Sequence, residues 1–233
     1  MTLSVSVSAC LPASRVMFRH HERMQAMGSA LHAGVLGPAG PRHVSSGFSF
    51  RGDADFFVEN IRCKIDGDPL GCLGDLGWYN VGLSLWAFGY EPPARASATV
   101  IVQTDEGVPL HVSCTLVWPE DDHNKASFEA PRTATFFCSF LHVEQQWAHI
   151  AGTSKVLEIE DFVIPFSPAS AKFSLKKHVW GDNALSIDNQ VEVHETPPGP
   201  PQEVRMWREF AAEVAAVDSE RSLRRSVSKT IAP

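Results

Sequence analysis

Asp75 and Tyr79 stand four residues apart, a spacing that brings an acid and a phenol to one side of a helix. Together they could handle a proton. The phenol can donate to a developing alkoxide, and the acid can orient that donor or a substrate hydroxyl. A free tyrosine ionises only near pH 10, so it becomes a useful acid/base when a cation stabilises its phenolate. Just upstream, Gly71, Gly74 and Gly77 recur every third residue. Three glycines inside a helix cost roughly 3 kcal/mol relative to alanine, and they clear one helical face of side chains. Such a face admits either another chain segment or a planar ligand. The pattern predicts half of a reaction site.

Arg19 and Arg62 are the candidate substrate-binding cations, for a hydroxyl or a carboxylate; surface ion pairing is the plainer alternative. Other chemistries find less support. Five cysteines are scattered with no Cys-x-x-Cys pair, which favours free thiols in a reducing, cytoplasmic compartment over a disulfide framework. Cys114 and Cys138 fall in strand-like runs, where cysteine is usually a small core residue. His20 and His21 lack metal-ligand spacing, and His142 and His149 sit among strand residues, so no metal site is expected. The six tryptophans read as core and interface anchors.

The elements that must position these residues follow from the pattern. Residues 21–33 read as a helix ended by Gly34, 43–50 as a strand, 53–60 as a short helix, and 76–88 as a buried helix. The period then changes to that of strands. Residues 97–103, 110–118, 133–141, 146–151 and 155–159 are rich in β-branched and aromatic residues and are separated by turns, which predicts antiparallel hairpins. Segments 173–179 and 190–194 are candidates for further strands, and the proline-rich 197–201 leads into an amphipathic helix striped by Trp207, Phe210, Val214 and Val217. The expected fold is α+β: an open, mainly antiparallel sheet with helices packed on one face.

Composition narrows the partners. The 233 residues carry a net charge of -7 and no Lys/Arg cluster, which weighs against nucleic acid. No apolar run approaches the roughly 20 residues that span a bilayer, so no membrane role is expected. No Gly-x-Gly-x-x-Gly follows a strand, and Asp68 and Asp75 flank the glycines, where they would repel a phosphate. A nucleotide-binding unit is not expected in this chain.

Several segments match a known family in order. Asp-Leu-Gly-Trp-Tyr at 75–79, preceded by Gly-Cys-Leu-Gly, resembles the Asp-x-Gly-x-His/Tyr signature of the Gfo/Idh/MocA oxidoreductases, in the tyrosine branch that includes dihydrodiol dehydrogenases and plant enzymes of this type. Residues 18–23, 49–53, 60–62 and the Gly-Thr-Ser-Lys of 152–155 fall where the family has corresponding stretches, although Lys155 replaces a usual glycine. The resemblance covers about residues 16–217. It implies an NAD(P)-dependent oxidoreductase acting on sugar- or diol-like substrates, with Tyr79 and Asp75 catalytic, and Gly71 and Gly74 on the cofactor side. It also implies a homo-oligomer formed through the sheet. The family's dinucleotide-binding domain and catalytic lysine have no counterpart here. The expectation is therefore a partial chain that binds neither NAD nor NADP alone: an unrelated leader over 1–14, one domain over 15–217, and a disordered polar tail over 218–233. The alternative is a non-catalytic oligomerisation or interaction module.

Overall fold

The computed structural model describes residues 16–118, 131–167, 171–181 and 187–230, with 218–230 described by backbone alone; the expected leader lies outside them. Eight strands form one sheet: β1 (His43–Arg51), β2 (Arg95–Gln103), β3 (Pro109–Val117), β4 (Thr133–Ser139), β5 (Leu141–Ala151), β6 (Val156–Ile159), β7 (Lys172–Trp180) and β8 (Ile187–Glu195). Their order across the sheet is β2-β3-β4-β1-β5-β6-β7-β8. The helices are α1 (Glu22–His32), α2 (Ala54–Glu59), α3 (Trp78–Ala87) and α4 (Gln202–Thr230). The α+β sheet with helices matches the class expected from the sequence.

One pairing departs from a run of hairpins. The first strand enters between β4 and β5, parallel to β4 and antiparallel to β5. The chain crosses the end of β1 at Phe140, whose carbonyl accepts from Gly52 N. Neighbours in sequence are thus separated in the sheet by an element far upstream, which periodicity along the chain does not encode.

Alternation on the central strands builds the core. Val44, Ser46 and Phe48 of β1, Ala134, Phe136 and Cys138 of β4, and Ala148 and Ile150 of β5 are buried beneath α1–α3. Their alternates, such as His43, Thr133, Thr135, Phe137, Trp147 and His149, are only half-buried on the opposite face. A fully buried Asn80 on α3 donates through Nδ2 to Ser46 Oγ at 2.8 Å, which fixes the rotation of α3 against β1.

Two termini are set by local chemistry. Asp53 accepts from Phe56 N and caps α2, and Gly34 ends α1 at a φ of 71°. The closing helix α4 is described by its backbone through Thr230.

Candidate functional site

The approach to α3 is wound unusually. Leu73–Gly77 forms a single π-helical turn that feeds directly into the α-helix at Trp78, a widening often found at functional sites. Gly71, two residues before it, has a φ of 49°. A Cβ there would sit 2.3 Å from the Pro109 carbonyl oxygen, and one at Gly77 would sit 2.8 Å from Leu73 Cδ1 and 3.2 Å from Cys138 Sγ. At Gly74 the neighbours are Leu70 and the Asp68 carboxylate. The glycine spacing therefore serves close packing of this turn on the chain itself. Of the two uses open from sequence, close approach of another chain segment is the one seen at Gly71, against Pro109.

This packing seats thiols against the turn. Cys72 and Cys138 are fully buried with their sulfurs 3.9 Å apart. Burial pushes the Cys114 thiol up to about 12. A hydrogen bond to Cys72, followed by burial, pushes Cys138 up as well. These are core thiols rather than nucleophiles.

Asp75 and Tyr79 face a common edge, and Arg62 reaches it from the 3-10 turn Ile61–Cys63. Arg62 Nε lies 2.8 Å from Asp75 Oδ2, with the arginine side chain 43% exposed and the aspartate 26%. Tyr79 is half-buried, its ring 5.6 Å from Phe48 in an edge-to-face contact and 6.2 Å from Phe18. Burial is the main force raising the Tyr79 pKa; the Asp75 charge adds to it and the Arg62 charge opposes it. The phenol is therefore held protonated at neutral pH and can donate a hydrogen bond or a proton.

Arg19 is elsewhere. Its guanidinium lies over the Tyr90 ring at 4.6 Å, past the C-terminal end of α3. Of the four side chains singled out from sequence, Asp75, Tyr79 and Arg62 come together and Arg19 does not. The clamp of Phe18 and Phe48 around Tyr79 carries no signal in spacing, because the two rings come from a turn and a strand far apart in sequence. Among the described residues, no three His, Cys, Asp or Glu side chains gather as a metal site requires, and no helix is long and apolar enough to cross a membrane.

No protein-family model matches the sequence. Among solved structures, the chain is similar to KijD10, a 3-ketoreductase from Actinomadura kijaniata in complex with NADP and TDP-benzene, at 20% identity and a TM-score of 0.63 over 87% of this chain and 54% of that one. The fold is shared. A further match is the aldose-aldose oxidoreductase from Caulobacter crescentus complexed with glycerol, at 16% identity and a TM-score of 0.57 over 82% of this chain and 50% of that one. A putative NADPH-dependent oxidoreductase from Desulfitobacterium hafniense matches at 15% identity and a TM-score of 0.57, covering 84% and 52% of the two chains. This chain thus spans about half the length of each of these three proteins.

Proposed function

We propose that this chain is the substrate-side unit of an NAD(P)-dependent oxidoreductase of the Gfo/Idh/MocA type, acting on the CH–OH or carbonyl group of a sugar- or diol-like substrate. The observation that carries this reading is the convergence of Asp75, Arg62 and Tyr79 on one edge of a fold shared with a ketoreductase and an aldose oxidoreductase. Reduction of a carbonyl requires a proton for the oxygen as the carbon gains hydride. Tyr79 is the donor of that proton, and in the reverse direction its phenolic oxygen receives one. Asp75, held by Arg62, orients the substrate hydroxyl beside it. The exposed part of Arg62 meets a second substrate oxygen.

The residues at the glycine turn do not fit a dinucleotide. The space at Gly71 and Gly74 is filled by Pro109, Leu70 and Asp68, and the carboxylates of Asp68 and Asp75 repel a pyrophosphate. On this reading NAD or NADP supplies the hydride from a separate nucleotide-binding unit set against the Asp75–Tyr79 edge, and this chain is not catalytically competent alone. The half-buried outer face of the sheet, with Phe137 and Trp147, is the surface through which the reading places a homo-oligomer.

Titration calorimetry with NAD and with NADP tests the first part: no binding to the chain is expected, and micromolar affinity for either overturns it. Joining the chain to a nucleotide-binding domain of an oxidoreductase with this fold tests the second. Cofactor oxidation with a panel of keto-sugars, lost on Tyr79→Phe, is expected. A folded, cofactor-binding chimera without turnover on any of them would favour a non-catalytic interaction module.

A further inference from the structure

The last helix grips the domain through three polar side chains on one face. Gln202, Arg205 and Glu209 recur at three and four residues, which aligns them along one side of α4. Gln202 is buried, and its Nε2 donates to the Val163 carbonyl at 2.9 Å. Arg205 pairs with Glu22 at the start of α1. Glu209 lies 2.6 Å from Nδ1 of His20, which ends the 3-10 turn Met17–His20. The apolar stripe takes no part in this grip: Trp207 is 63% exposed and Phe210 41%.

These anchor points flank two phenylalanines behind Tyr79. Val163 directly follows Phe162, and Phe18 is the second residue of the turn that His20 ends. Both phenylalanines are fully buried. Four rings close a circuit: Phe18 to Phe162 at 5.7 Å, Phe162 to Phe48 at 6.2 Å, Phe48 to Tyr79 at 5.6 Å and Tyr79 back to Phe18 at 6.2 Å. The sheet holds Phe48 through β1, and Phe162 N donates to the Gln146 carbonyl at 2.8 Å. Phe18 has a weaker seat, a four-residue 3-10 turn whose hydrogen bonds are poorer than those of an α-helix. Gln202 pins the start of α4 beside Phe162, and this brings Arg205 and Glu209 to the two ends of the link between that turn and α1.

We propose that α4 positions Tyr79: Arg205 and Glu209 hold the turn Met17–His20 in place, and the turn holds Phe18 against the Tyr79 ring, fixing the direction of its hydroxyl and keeping water from its inner side. Arg205 and Glu209 are positioning residues. The charges that bear on the phenol itself are those of Asp75 and Arg62, so the two act on it through Phe18. Burial is the main force raising the Tyr79 pKa, and a loosened Phe18 would admit water and bring it back toward the ordinary value. The proposal rests on reading Tyr79 as the proton donor, but its test needs neither substrate nor cofactor.

The test is tyrosinate absorbance against pH in the full chain, in a Tyr90→Phe background that leaves Tyr79 as the only one of the two tyrosines. The double variant Arg205→Ala, Glu209→Ala removes two partly exposed pairs, which add little to stability, and circular dichroism checks its fold. Its Tyr79 midpoint should fall by about half a unit or more. Phe18→Leu should lower the midpoint in the same way, and Arg205→Lys with Glu209 intact should preserve it. A double variant that is less stable in urea with the midpoint unmoved overturns the proposal, because α4 would then be structural alone. A midpoint moved by the double variant but not by Phe18→Leu overturns the route through Phe18. The two readings fail separately: turnover that survives Tyr79→Phe in the chimera would sink the proton donor while a lowered midpoint still supported the brace.

Discussion

Arg62 Nε and Asp75 Oδ2 lie 2.8 Å apart, and this pair sets the electrostatics that Tyr79 feels. The two charges act on the phenol in opposite senses, Asp75 raising its pKa and Arg62 lowering it. With both side chains partly exposed, the pair itself contributes under about 1 kcal/mol to stability. Its value lies in fixing the acid next to the phenol.

Asp75→Asn should therefore lower the Tyr79 pKa, because it removes a charge that disfavours phenolate and leaves Arg62 unopposed. Arg62→Gln should raise it further. The chain has two tyrosines, so tyrosinate absorbance followed against pH in a Tyr90→Phe background reads Tyr79 alone. Shifts in the same direction for both variants would show that the pair does not act on this phenol.

Tyr79→Phe keeps the ring between Phe18 and Phe48 and should change stability by less than about 0.5 kcal/mol, whereas Tyr79→Ala should cost about 2 kcal/mol or more. Urea unfolding measures both. A loss of about 1 kcal/mol or more in the phenylalanine variant would mark the hydroxyl as a structural hydrogen-bonding group rather than a rim proton donor.

Gly71→Ala should be among the most damaging single-methyl additions in the chain, at about 3 kcal/mol. The residue occupies a φ of 49° and its Cβ would meet the Pro109 oxygen at 2.3 Å, so left-handed strain and a backbone collision act together. Gly34→Ala has the strain, at a φ of 71°, but open space around the methyl, and should cost only about 1 kcal/mol. Thermal unfolding of the two proteins gives the comparison; equal losses would mean that the collision at Gly71 is relieved.

Arg23 is 1% exposed and its guanidinium binds both the carboxylate and, at 2.7 Å, the carbonyl of Asp161. Arg23→Ala would strand a buried carboxylate that also accepts from Phe166 N, and should cost about 3–5 kcal/mol. Denaturant unfolding checks this, and a loss below about 1 kcal/mol would mean that water reaches Asp161.

Stability should fall on both sides of neutrality. His21, His43 and His111 are lowered from 6.5, chiefly by burial. The unfolded chain thus takes up their protons first, and stability declines as pH drops below about 6.5. Cys114 and Cys138 are raised from 9.0, and Tyr79 and Tyr90 from 10.0. Here the unfolded chain releases protons first, and stability declines as pH rises above about 9. Unfolding midpoints across pH should trace a plateau between these limits; a midpoint that keeps rising above pH 9 would contradict the burial of the thiols.

The elements and their class were legible in local pattern. Strand-like alternation in β1 and β3–β7, the turn at Gly34, and the four-residue step from Asp75 to Tyr79 are local patterns, set by backbone geometry and by which residues shun water. The apolar stripe of α4 was equally legible. Relationships between distant segments came only with the folded chain. The insertion of β1 between β4 and β5, the filling of the space at Gly71 by Pro109, and the choice of Asp75 as the partner of Arg62 all depend on chain closure over long separations. The exposure of Trp207 and Phe210 belongs with them. Periodicity names the face of a helix that will be buried, but the domain bound α4 through Arg205, Glu209 and Gln202 instead, because polar contacts to Glu22, His20 and Val163 were the ones within reach of its polar side.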